Sequence, residues 1–132
     1  MENKQKHLEF IQTVINRMAG NCFLLKGWAI TLVAALFALS AKDTNYNYFL
    51  IAYFPVIIFW ILNGYFLSQE RLFRDLYDYV RKLDEAKIDF SMDTNNFKTY
   101  KNGWLYSIFS KTLSIFYLTL VGVMLITIYL IK

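Results

Sequence analysis

Five basic residues, Arg17, Lys26, Arg71, Arg74 and Lys111, fall within about two helical turns of the expected inner edge of long apolar runs, with Glu70 as the one carboxylate beside them. Cations gathered at one depth hold anions, phosphates above all, because a phosphate accepts several charge-assisted hydrogen bonds at once. Asp75, Asp78, Asp84, Glu85, Asp89 and Asp93 lie farther along, so charge is layered along the chain in a way that the net +4 conceals. Topology gives a second reading of the same collar, since basic flanks orient a span and attract anionic headgroups at about 1 kcal/mol each. Lys26 and Lys111 stand at the apolar boundary, where a lysine either snorkels or, in a symmetric oligomer, lines a central mouth. Nucleotide, nucleic acid and lipid phosphate share one charge signature.

Other chemistry lacks its residues. The apolar runs contain almost no convergent polar groups, so no catalytic set is expected and the chain does not read as an enzyme. His7 is the sole histidine, and its charged surroundings predict a solvated surface residue. Asp75, Asp78, Asp84 and Glu85 alternate with Arg71, Arg74, Arg81 and Lys82 at helical spacing, the pattern of a solvated face laced with ion pairs. The five glycines are scattered, at 20, 27, 64, 103 and 122, and form no phosphate loop. Cys22 has no second cysteine to bond, and with His7 it makes no metal-binding spacing; it reads as a small apolar packing residue. Neither a metal nor a cofactor is expected.

The elements that must carry the collar are three apolar runs, 22–41, 48–67 and 113–131. Each reaches about 30 Å as a helix, the thickness of a hydrocarbon core, and a helix satisfies its own backbone there. A composition of 57% apolar and 19% aromatic residues leaves too few polar side chains to coat a soluble globule. The polar lead of twenty-odd residues and the want of a small-residue cleavage site argue against a removable signal peptide. Of the 14 Lys and Arg, all but Lys42 and Lys132 lie before or at the mouth of the first run or between the second and third. The positive-inside bias therefore predicts a cytoplasmic N-terminus and an external C-terminus.

The remaining segments follow. Residues 1–21 place Leu8, Ile11, Ile15 and Met18 on one face of an amphipathic helix, lying in the headgroups or packed on other cytoplasmic elements. Gly20 and Asn21 are expected to bend or end it. Residues 42–47 predict a tight external turn. The second span should continue as a cytoplasmic helix over 68–86, about 58 Å long from Tyr48. Its stripe, Leu72, Leu76, Val80 and Leu83, needs a partner: the N-terminal helix, another subunit or another protein. Residues 87–112 read as a linker and an interfacial approach with Trp104 and Tyr106 at headgroup depth, the last helix extending from about Gly103. In the first span Gly27, Thr31, Ala34, Ala35, Ala38 and Ala41 make a narrow side for packing within the protomer or between copies. Asn63 and Gly64, with Pro55 mid-span, mark a static kink or a gate. The expected fold is thus an all-α membrane protein: three transmembrane helices, the second prolonged into the cytoplasm, plus an amphipathic N-terminal helix, assembled as a homo-oligomeric bundle.

The block LEFIQTVINRMAGNCFLLKGWAITLVAALFALSAKD resembles the small membrane effectors of bacterial antiphage systems, nearest the channel-type effector of the Hailong system. The resemblance covers the first third of the chain in sequence and the rest in layout, and it carries over no residue-level motif. It implies a tetrameric inner-membrane channel, kept shut by a DNA polymer that a partner nucleotidyltransferase makes. Loss of the polymer would open the pore and depolarise the cell. Two functions are thereby set against each other. One is a channel gated by a nucleic-acid or nucleotide ligand at the basic mouth, in contact with membrane lipids. The other is a non-conducting adaptor that recruits a cytoplasmic partner through helix 68–86, and a holin-like lytic protein is a weaker third. For the orientation, reporters fused at the two ends should disagree about compartment, and one inserted at Asn45 should agree with the C-terminal fusion; a cytoplasmic C-terminus overturns it.

Overall fold

The computed structural model describes residues 2–43 and 47–131, and they are helical in every long element, with no strand among them. Helix α1 spans Glu2–Asp43, α2 Asn47–Arg81, α3 Trp104–Ile108 and α4 Lys111–Ile131. Three of these, α1, α2 and α4, are long and apolar enough to cross a membrane. The centre of the expected external turn, 44–46, lies outside the described residues, while Lys42, Asp43 and Asn47 are helical.

Helix α1 does not break at Gly20 and Asn21. One stripe explains this: His7, Ile11, Ile15, Cys22, Leu25, Ala29, Val33 and Ser40 are all buried and recur every three, four or seven residues. The face that packs below Gly20 is the face that packs above it, and burial along its whole length outweighs the roughly 1 kcal/mol that a helical glycine costs. Helix α2 runs antiparallel beside it. Ile11 and Ile15 meet Leu76 and Val80 at the polar end, and Ala29 and Val33 meet Ala52 and Val56 at the other. The α2 stripe thus finds its partner inside the protomer. Leu72, Leu76 and Val80 are buried, but Leu83 lies beyond the helix, which ends at Arg81 and not at Ala86, and it is partly exposed.

The early end of α2 has a cause. Past it the chain must return, and Glu85 reaches the start of α1, where its Oε1 accepts from the Asn3 N–H at 2.9 Å and its Oε2 from the Lys4 N–H at 3.2 Å. Those first-turn donors have no partner within their own helix. A strap then runs back along the helix pair, with Ile88, Met92 and Phe97 covering Ile11, Ile15, Leu76 and Val80. Its turns are built locally: Asp89 Oδ1 accepts from Ser91 N, Ser91 Oγ from Asp93 N, and Asp93 Oδ1 from Asn95 N. Phe90 takes a positive φ of 57°, holding its ring 5.6 Å from His7 and 6.0 Å from Phe10. His7 is therefore no solvated surface residue; it is 1% exposed, with Nε2 within 2.9 Å of the Ser91 carbonyl oxygen.

The last helix is divided where continuity from Gly103 was expected. Ser110 Oγ accepts from Leu113 N at 3.4 Å, a side-chain cap that starts α4 afresh, so that α3 stands as a separate turn. Helix α3 sits on α2 at Gly64, where an added Cβ would meet the Ile108 side chain and come within 3.0 Å of its Cα. At Gly20 an added Cβ meets nothing within 4 Å. Gly20→Ala should therefore raise stability by about 0.5–1 kcal/mol, and Gly64→Ala should lower it, by about 1–3 kcal/mol as over-packing does. Thermal unfolding of the detergent-purified variants checks both; equal shifts of one sign would refute the contrast.

Candidate functional site

The segment after the strap is fastened to α2 by two side chains. Asn102 is buried, and its Nδ2 donates to Asp75 Oδ2 at 2.8 Å and to the Phe97 carbonyl at 2.7 Å. Its Oδ1 accepts from Thr99 N at 2.8 Å, and its carbonyl accepts from Ser68 Oγ at 2.7 Å. Arg71 adds a second tie through Nη1, which donates to the Lys101 carbonyl at 3.2 Å and to Ser107 Oγ at 3.4 Å, while its guanidinium lies 5.7 Å from the Tyr106 ring centroid.

This fastening draws Arg71, Arg74 and Lys101 around one cavity of about 720 Å³, together with Asp75, Asn96, Thr99, Asn102 and Tyr106. Arg74 already pairs with Glu70 at 3.0 Å, an exposed i,i+4 bridge of small worth that leaves donors free. A second cavity, of about 550 Å³, shares Arg71 and Tyr106 with the first and includes Ser110 and Lys111. The five collar residues are thus not one site. Arg71 lines one cavity with Arg74 and the other with Lys111. Lys26 lines a smaller cavity of about 260 Å³ with Cys22, Glu70 and Thr112, its ammonium 5.9 Å from the Phe116 ring centroid. Arg17 is exposed on α1 and lines none of these three.

Sequence spacing did not single out Lys101 or Asn102 as site residues. Lys101 was one basic residue among many in a polar stretch, and nothing local says that it comes back beside Arg71 and Arg74. Asn102 before Gly103 carries a turn signal but no sign of burial.

Asn63 and Gly64, read as marking a kink or a gate, make contacts between helices. Asn63 is fully buried; its Nδ2 donates to Tyr117 Oη at 2.9 Å and to the Cys22 carbonyl at 3.5 Å, and its own carbonyl accepts the Cys22 thiol at 3.7 Å. Gly64 gives room for Ile108. Helix α2 continues through Pro55. The narrow stripe is not packed within the protomer: Gly27, Thr31, Ala34, Ala35 and Ala38 are exposed on the outer side of α1.

Among the described residues no group of three His, Cys, Asp or Glu is placed to hold a metal ion. No family model, no curated protein and no solved structure matches this chain. The arrangement can bind an anion: two guanidinium groups and an ammonium converge, with neutral amide and hydroxyl donors beside them and one carboxylate, Asp75, partly occupied by Asn102. Asn102→Ala should release the 97–103 segment at a cost of about 1–3 kcal/mol, the penalty for leaving buried partners unpaired. Proteolysis between Phe97 and Gly103 should become faster than in the wild type; an unchanged cleavage rate would show that other contacts hold the loop.

Proposed function

We propose that this protein is the subunit of a homo-oligomeric ion channel, a tetramer in the bacterial inner membrane, that acts as an effector of antiphage defence. A nucleic-acid or nucleotide ligand, the product of a partner nucleotidyltransferase, sits at the cytoplasmic mouth and keeps the channel shut; its loss depolarises the membrane. The observation that carries this reading is the Arg71, Arg74 and Lys101 cavity on the loop that ties α2 to α4. A polyanion held there bears directly on how two apolar helices stand relative to each other. The outward narrow stripe through Ala34 and Ala38 supports close approach of a second copy. Against the adaptor reading stands the burial of Leu72, Leu76 and Val80 under α1 and the strap, which takes away the apolar surface that helix 68–86 was to offer a partner.

Salt dependence tests the ligand. Three basic side chains per protomer contacting phosphates give a slope of log K against log salt of about −2 for a single strand, since each contact releases a condensed counterion. Arg74→Glu with Lys101→Glu should abolish binding of a labelled single-stranded oligonucleotide, measured by fluorescence anisotropy, and should make expression toxic through an unshut pore. Lys26→Glu should leave binding in place. A wild-type protein that binds no oligonucleotide at low salt, or that passes no ions in liposomes, overturns the proposal.

A further inference from the structure

The second cavity, between α2, α3 and the start of α4, differs from its neighbour in what surrounds the charge. Arg71, Ser110 and Lys111 supply the polar groups, and Tyr100, Leu105, Tyr106 and Phe109 form the rest of the wall. Leu105 is 74% exposed and Phe109 69%, large apolar side chains at the rim of a cationic pocket. A site for a small soluble anion has no use for such a rim.

Its depth explains the rim. Helix α3 is stapled to α2 at both ends: Trp104 Nε1 donates to the Ile61 carbonyl at 3.0 Å, and Trp60 Nε1 donates to the Ile108 carbonyl at 2.8 Å. Ile61 and Trp60 belong to the apolar run 48–67, so α3 lies level with the end of a membrane span and not beyond it. Tryptophan and tyrosine favour that layer. Lys111 opens α4, and Ile115 and Leu118 continue from it on the same exposed face, four and seven residues on. Cation, interfacial aromatic groups and an apolar lane follow one another in the order of headgroup, glycerol and acyl chain.

The cations are also available. Both hydrogen bonds that Arg71 makes use Nη1 and go to neutral oxygens, and among the described residues neither Arg71 nor Lys111 has a carboxylate within 4.0 Å. Nε and Nη2 of Arg71 remain for an acceptor, in the forked geometry that suits phosphate.

We infer that this cavity binds the phosphate of an anionic phospholipid, with Arg71, Lys111 and Ser110 on the headgroup and the acyl chain lying along Leu105, Phe109, Ile115 and Leu118. The site needs only that the spans insert in a membrane; it does not rest on conduction or on a nucleic-acid ligand. Lys111 and Arg74 tell it from the neighbouring cavity, since each lines one of the two and not the other.

Native mass spectrometry of the detergent-purified protein, titrated with phosphatidylglycerol or phosphatidylcholine, tests the assignment. The wild type should bind phosphatidylglycerol in preference, Lys111→Gln should weaken that binding about fivefold, and Lys111→Arg should restore it. Arg74→Gln should leave it unchanged. Inorganic phosphate and glycerol 3-phosphate, added in hundredfold excess, should not displace the bound lipid. Equal binding of the two lipids, displacement by the soluble phosphates, or an equal loss in Arg74→Gln and Lys111→Gln would each overturn the inference. Loss of oligonucleotide binding with lipid preference intact would sink the gating proposal alone.

Discussion

The buried amide of Asn63 is the contact on which the arrangement of the long helices turns. Between apolar helices in lipid, one greasy face is as good as another, because lipid tails solvate Leu and Ile as well as a neighbouring helix does. A fully buried amide removes that freedom. Its Nδ2 finds the Cys22 carbonyl of α1 and the Tyr117 hydroxyl of α4, so three helices are required to meet at one level. Each such bond is worth about 0.6–2 kcal/mol, little as adhesion but decisive as register, since sliding any helix by a turn would take these partners from the buried amide. Trp60 extends the junction: its ring stacks on Tyr117 at 5.6 Å, and its N–H takes the Ile108 carbonyl at the end of α3.

From that level the α1–α2 pair projects as one unbroken body. The buried positions of α1 repeat with a spacing of eleven, His7, Ala29 and Ser40 in one row, which the half-buried Met18 completes, and Ile11, Cys22 and Val33 in the next. Eleven residues over three turns, about 3.67 per turn, keep the stripe on one face of α1, with a tendency to a gentle right-handed wind. A seven-residue repeat would have forced the two helices to wind round each other. The consequence reaches the polar end, where the strap of residues 88–97 needs a firm two-helix platform under Ile88, Met92 and Phe97.

How much of this could be read in the chain depended on the range of the interaction. The apolar runs, the basic bias and the stripe of Leu72, Leu76 and Val80 are periodic or compositional, and the helices follow them. The break expected at Gly20 and Asn21 weighed a local propensity that the eleven-residue stripe outweighs, and the stripe was itself legible from Ile11 onward. His7 looked solvated because its sequence neighbours are charged, yet its spatial neighbours are Phe90 and the Ser91 carbonyl, more than eighty residues away. Lys101 and Asn102 escaped for the same reason. A residue that acts by closing a long loop carries no mark within its own helical turn.

The collar, read as one ring of charge, is divided by what each cation already holds. Arg74 is paired with Glu70, and Lys26 lines a cavity with the same carboxylate, whereas Arg71 gives its bonds to neutral oxygens. Arg71 also stands in the wall of both larger cavities. If both proposed anions bind, a guanidinium shared in this way would couple them: each draws the fork toward itself and leaves fewer donors for the other, and each would change the other's affinity for the protein by the same factor. The same side chain ties the 97–103 segment to α2 through the Lys101 carbonyl, so an anion bound as proposed on either cavity would lie next to the connection between the second and the last long helix. On the proposed function, the position of Arg71, in the wall of both cavities and bonded to the Lys101 carbonyl, would matter more than the number of basic residues around it.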